Sequence, residues 1–361
     1  MKKTFFLSFL IIFQFCNSYA QPKTSFTRIW VFMVGVLEWE DANTFASFDK
    51  KARVDAEIYK FFQKNQIPAN QIIYIKDKQA NTASIRESYE NFLKKAQRDD
   101  ILFFYYCGHG YKNDAEKVCF ASYKGAEWSV EEIVKSANKN FAGNTAFFIA
   151  DCCNSGGLAK EVQKYPNKNY VALNSVVPTD ESTGNWTFSN ALLYALQGKN
   201  FIDTNADQQI TLSEVSKYID EEMAIVEGQK AAYFVPESMK NWVMTSNVPL
   251  RKNKRIGEHV LANYDGEDYL GFIMAANAEN KYNIRFYSYT NDETDWVEAS
   301  RLKTFSCKKD FPLKTAVRVL EDGKWYSAKV TKKFSCLHYV HFDDYDAEWD
   351  RWISPDNIKK K

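Results

Sequence analysis

The chain has 361 residues, enough for two or three domains that each bury a core. Its 47 basic and 46 acidic side chains leave a formal charge of +1, which excludes a field able to hold a nucleic-acid backbone or an anionic membrane by charge alone. Aromatic residues reach 16% and crowd the C-terminal end, where short strands around bulky cores are expected.

The N-terminus reads as an export signal over residues 1–20. Lys2 and Lys3 precede an apolar stretch from Phe5 to Phe15, and Ser18-Tyr19-Ala20 gives a small-x-small cleavage site. That stretch is shorter than the roughly 20 residues that span a bilayer, and nothing later is longer. An exported protein, periplasmic or secreted, with no transmembrane anchor is expected. The cysteines left after cleavage form no disulfide framework, and Cys307 with Cys336 is the candidate pair, which sequence alone does not decide.

From Arg28 to Pro249 strands and helices alternate. Ile29 to Leu37 is a continuous apolar strand, and Val54, Ile58, Phe61 and Phe62 then recur on one helical face. Gln71 to Ile75 is a second strand, and Thr82 caps a helix whose stripe is Ile85, Tyr89, Phe92 and Leu93. Ile101 to Tyr106 is a third strand, Ser129 with Glu132 forms a capping box, and Thr145 to Ala150 and Tyr170 to Val177 are further strands. A helix over Phe188 to Leu196 follows. Strands apolar throughout and separated by helices predict a mostly parallel sheet covered on both faces, with the domain running over residues 25–249.

A basic stretch at Arg251 to Arg255 breaks this pattern. Beyond it, Val260, Asp265-Gly266, Tyr269, Ile284, Phe286 and Trp296 repeat as Val317, Asp322-Gly323, Tyr326, Val340, Phe342 and Trp352, with a single-residue gap. Two small antiparallel barrels are expected, over residues 256–304 and 311–361.

Two motifs carry the chemistry. Tyr105-Tyr106-Cys107-Gly108-His109-Gly110 ends one strand and Asp151-Cys152-Cys153-Asn154-Ser155-Gly156 ends another, so a histidine and a cysteine stand at strand C-termini, where parallel sheets bind ligands. A free thiol is little ionised at neutral pH, and an adjacent imidazole makes it a nucleophile. No other histidine precedes residue 259.

These motifs resemble those of the caspase-like cysteine peptidases, and most of all the metacaspases and their bacterial relatives, over roughly residues 28–247. The resemblance implies Cys153 as nucleophile, His109 as its base, Cys152 turned into the sheet, and the backbone N–H groups of Gly110 and Cys153 as oxyanion donors. It also implies that Asp55 and Asp151 hold an Arg or Lys before the cut bond of a protein or peptide substrate. Asn154 stands where many relatives have histidine, and Arg53-Val54-Asp55 replaces their usual polar run.

The stretch from Asp203 to Glu214 resembles an EF-hand loop, with Asp203, Asn205, Asp207, Gln209 and Glu214 as candidate calcium ligands, although Gln208 replaces the expected glycine. A thiol–imidazole pair needs no cofactor, so calcium is the single ion candidate. The C-terminal repeat resembles Tudor-like or chromo-barrel modules, SH3-like in fold, which implies an aromatic cage with Tyr345, Trp349 and Trp352 as candidates. The competing expectation is an inactive caspase-like scaffold whose barrels bind a protein or a cationic ligand.

Overall fold

The computed structural model describes residues 26–361 except 288–293, 306, 308, 322 and 335. The expected export signal and Asp322 lie outside the described residues. In chain order the elements are β1 (Ile29–Gly35), α1 (Val54–Lys64), β2 (Ile72–Lys76), α2 (Thr82–Leu93) and β3 (Ile101–Cys107). The short strands β4 (Gly110–Lys112), β5 (Val118–Ala121) and β6 (Glu127–Ser129) follow, then α3 (Val130–Asn140), β7 (Thr145–Asp151), α4 (Gly157–Val162), β8 (Asn169–Asn174) and α5 (Thr187–Leu196). Next come β9 (Gln209–Thr211), α6 (Leu212–Glu222), β10 (Ala232–Phe234) and β11 (Val243–Ser246).

The main sheet runs β10-β8-β7-β3-β1-β2, parallel throughout except for β10 at one edge. Successive residues of β1, β3 and β7 point to opposite faces, and both faces are apolar because helices cover both. Val31, Met33, Phe103 and Phe147 pack with Ile58 and Phe62 of α1, Leu192 of α5 and Val215 of α6. Phe32, Val34, Phe104 and Phe148 pack with Ile85, Tyr89 and Phe92 of α2, Ile133 of α3 and Leu158 of α4. Ser129 and Glu132 form the expected capping box. Thr82, expected as a cap, is instead the first helical residue of α2, and Asn81 is the cap, its side chain accepting from the N–H of Ala83.

The C-terminal strands form two five-stranded antiparallel sheets. The first uses β12 (His259–Tyr264), β13 (Glu267–Ala276), β14 (Lys281–Phe286), β15 (Thr294–Glu298) and β16 (Leu302–Thr304), ordered β15-β14-β13-β12-β16. The second uses β17 (Ala316–Glu321), β18 (Lys324–Phe334), β19 (Leu337–Phe342), β20 (Arg351–Ile353) and β21 (Ile358–Lys360), ordered β20-β19-β18-β17-β21. The repeat extends to irregularities, since register shifts fall between Ile273 and Ala275 in one copy and at the corresponding Val330 and Lys332 in the other. Val260, Ile273 and Ile284 join the same apolar core as the α1, α5 and α6 face of the main sheet. Cys307 and Cys336 are joined in a disulfide. None of the described helices is long and apolar enough to cross a membrane.

Candidate active site

Strands β3 and β7 are neighbours, with Cys107 opposite Asp151. His109 and Cys153 each follow two residues beyond this matched pair, so the register carries both motifs to one rim of the sheet. Their main chains touch there. A Cβ at Gly110 would lie 2.0 Å from the carbonyl oxygen of Cys153 and 2.9 Å from the Cys152 sulfur, so only glycine permits the approach. The turn is held from behind by Tyr106, whose hydroxyl lies 2.9 Å from the carbonyl oxygens of His109 and Ala121 and whose ring stacks on Phe120 at 4.2 Å.

The His109 ring packs among Trp39, Phe45 and Phe48, with centroids 4.5, 5.3 and 4.7 Å away. Its Nε2 lies 2.8 Å from the carbonyl oxygen of Ala46. A carbonyl only accepts, so Nε2 carries a proton, and in the neutral ring the lone pair lies on Nδ1. Cys153 is half-buried, and the N–H of Ser182 donates to its sulfur at 3.2 Å. Burial pushes this thiol up, while the backbone N–H groups of Ser182 and of Cys153 itself favour the thiolate. Cys152 is buried in the apolar core of the α2, α3 and α4 face. Asn154 takes a left-handed backbone (φ 56°), which asparagine tolerates. Its Nδ2 donates to Pro178 O at 2.8 Å and its N–H to Asp180 O at 2.9 Å, which ties the Cys153 turn to the loop over it.

A cavity of about 40 Å³ opens beside Cys153, walled by Leu37, Phe48, Cys107, Asp151 and residues 182–186. Ligand pockets usually measure roughly 300 Å³ or more, so a long side chain enters only if a wall moves. Asp151 is the cavity's carboxylate. It accepts from Ser189 Oγ at 2.6 Å, and burial pushes its carboxyl up to about 7 against the hydroxyl hydrogen bonds that pull it down. The folded state therefore holds this proton more tightly than the unfolded chain, and stability is lost as pH rises from about 4 to 7. Asp151→Asn is expected to unfold at a higher temperature than wild type, with an advantage that grows over that window to roughly 4 kcal/mol and is flat above it. Thermal melts at pH 5 and pH 8.5 check this, and equal advantages at both would refute it.

Asp55 is not in the cavity wall. It is fully buried behind Cys107, held by Arg53, Tyr74 and the N–H of Ala56. The expected calcium ligands are held by hydrogen bonds within their own loop. Both oxygens of Glu214 accept from Thr204 and Thr211, and those of Asp203 accept from the N–H groups of Asp207 and Gln208. Asp207 accepts from the N–H of Gln209 and from the side chain of Asn205. Gln208 adopts the left-handed turn (φ 65°) that glycine would take. Among the described residues no group of three or more His, Cys, Asp or Glu is gathered to hold a metal. Trp352 is not at the surface. It is buried against Ala224 and Tyr339 and donates to Asp220 at 3.3 Å, whereas Tyr345 and Trp349 are exposed with ring centroids 6.1 Å apart.

Residues 47–335 match the family described as the caspase domain, a stretch that begins before α1 and runs through the first antiparallel sheet to just past the end of β18. The chain is a member of the caspase domain family. This places it among cysteine peptidases and caspase-like scaffolds, with proteins as substrates. No curated protein matches it. A crystal structure of a protein from Geobacter sulfurreducens is similar at 14% identity and a TM-score of 0.45, covering 61% of this chain and 99% of that one. Sequence reasoning missed Ala46, which meets His109 through a backbone carbonyl and so leaves no trace in residue type. It also missed the 182–186 wall and Ser189, whose apolar helical surroundings hid a hydroxyl aimed at Asp151.

Proposed function

We propose that this caspase domain is a metacaspase-type endopeptidase that cleaves after basic residues, with His109 and Cys153 as its dyad. The observation that carries the reading is the in-register placement of Cys107 against Asp151, which brings the two motifs together beside the cavity. His109 Nδ1 takes the Cys153 proton, the thiolate attacks the substrate carbonyl, and the oxyanion meets the N–H groups of Gly110 and Cys153. The imidazolium then protonates the leaving amine to give a thioester. Water, deprotonated by the same ring, hydrolyses it and restores the thiol.

Asp151 in the cavity supports a basic preference. The disulfide, which ties the segment between the two sheets to the turn between β18 and β19, fits an exported protein whose signal is cleaved near Ala20. The repeated bulged sheets fit Tudor-like barrels, with Tyr345 and Trp349 as their exposed aromatic surface. The test is cleavage of peptides with Lys or Arg before the cut bond by the full chain and by Cys153→Ala. Activity present in the first and absent in the second is the expected result, whereas no difference between them would mark the chain as a scaffold.

A further inference from the structure

Arg53 immediately precedes α1, and its side chain is largely buried. Its Nε and Nη2 donate to Asp55 Oδ1 at 3.1 Å and Oδ2 at 2.8 Å, the two-pronged geometry by which a guanidinium recognises a carboxylate. Nη1 reaches Asp77 at 2.6 Å and Nη2 reaches the carbonyl of Gly35 at 2.9 Å. Asp55 has no capacity left. Oδ1 also accepts from the N–H of Ala56 at 3.0 Å and Oδ2 from the Tyr74 hydroxyl at 2.6 Å, so each oxygen has two donors. Nor is there room beside it, since a Cβ at Gly35 would lie 2.0 Å from Oδ2 and 2.8 Å from the Arg53 guanidinium.

We infer that Arg53 is a specificity-determining residue, which takes from within the chain the place of a substrate cation at Asp55 and leaves Asp151 as the carboxylate that lines the cavity among the described residues. This rests on the peptidase reading above and narrows its substrate class. A compact ammonium is satisfied by one carboxylate, while a planar guanidinium gains most from two acceptors and needs more space. The cavity of about 40 Å³, with Asp151 in its wall and Asp55 shut behind Cys107, therefore selects lysine over arginine before the cut bond.

The experiment measures kcat/KM of the full chain on matched peptides with lysine, arginine or norleucine at that position. In wild type, lysine is expected to exceed norleucine at least tenfold and arginine severalfold. Asp151→Asn should bring lysine and norleucine within threefold of each other, and Asp55→Asn should leave their ratio within threefold of wild type. Arg53→Gln should raise the arginine-to-lysine ratio severalfold, and Arg53→Lys, which keeps the charge and loses the fork, less so. Norleucine cleavage reports whether each variant is folded and competent. Arginine cleaved as well as lysine by wild type, or a lysine-to-norleucine ratio that collapses in Asp55→Asn and not in Asp151→Asn, overturns the inference while leaving the peptidase reading intact. No Cys153-dependent cleavage of any of the three peptides overturns both.

Discussion

His109→Ala is expected to lower kcat/KM on the best basic peptide by on the order of a thousandfold, with the fold and the thiol both intact. General acid and base catalysis contributes about 10² to 10⁴, and here one ring is asked to serve both half-reactions. A change of side chain at Ala46 should not reproduce the loss. Ala46 holds the tautomer by its carbonyl, and no side-chain replacement at position 46 removes that oxygen, so Ala46→Gly should retain most activity. Alkylation by iodoacetamide separates the roles. Burial already pushes the Cys153 thiol up, and without a neighbouring base its alkylation at pH 6.5 should slow at least fivefold, with little change near pH 10. Equal alkylation rates at pH 6.5 in wild type and variant would show that the ring does not act on the sulfur.

Much of the parallel sheet was legible because β1, β3 and β7 are buried on both faces and so read as unbroken apolar runs. The two motifs were legible because each ends such a run. What the sequence hid has physical causes. Strands β4, β5 and β6 span three or four residues, too few for an alternating pattern to stand out, although their pairing holds the His109 turn. Asn81 and Thr82 are both good capping residues, and only geometry chooses between them. Trp296 and Trp352 occupy equivalent places in the repeat, yet Trp296 is 45% exposed and Trp352 is buried, because only the second sheet lays this face on α6. Asp55 was named through the resemblance, as an acid that holds a basic substrate residue. Its loss to Arg53 turns on a side-chain direction that residue type does not encode.

Arg285→Met is expected to destabilise the full chain by about 3 to 5 kcal/mol. Arg285 lies on β14 and Glu222 at the end of α6, and their side chains are 2% and 3% exposed with Nη2 and Oε2 2.5 Å apart. The guanidinium is further sandwiched over Phe272 and Tyr287, at 5.4 and 5.3 Å from the ring centroids. This contact crosses from the main α/β unit to the first antiparallel sheet, within one shared apolar core. Methionine fills the volume but leaves the Glu222 carboxylate buried without its cation, and that uncompensated charge carries most of the cost. A drop in melting temperature on the order of 10 °C follows for the single variant. Glu222→Leu combined with Arg285→Met removes both charges and should recover more than half of the loss, since a buried ion pair contributes little beyond what well-packed apolar groups supply. Melting followed by circular dichroism at neutral pH distinguishes the cases. A single variant as stable as wild type would show that the first sheet docks by its apolar face alone, and a double variant no better than the single would show that the arginine acts through its stacking on Phe272 and Tyr287.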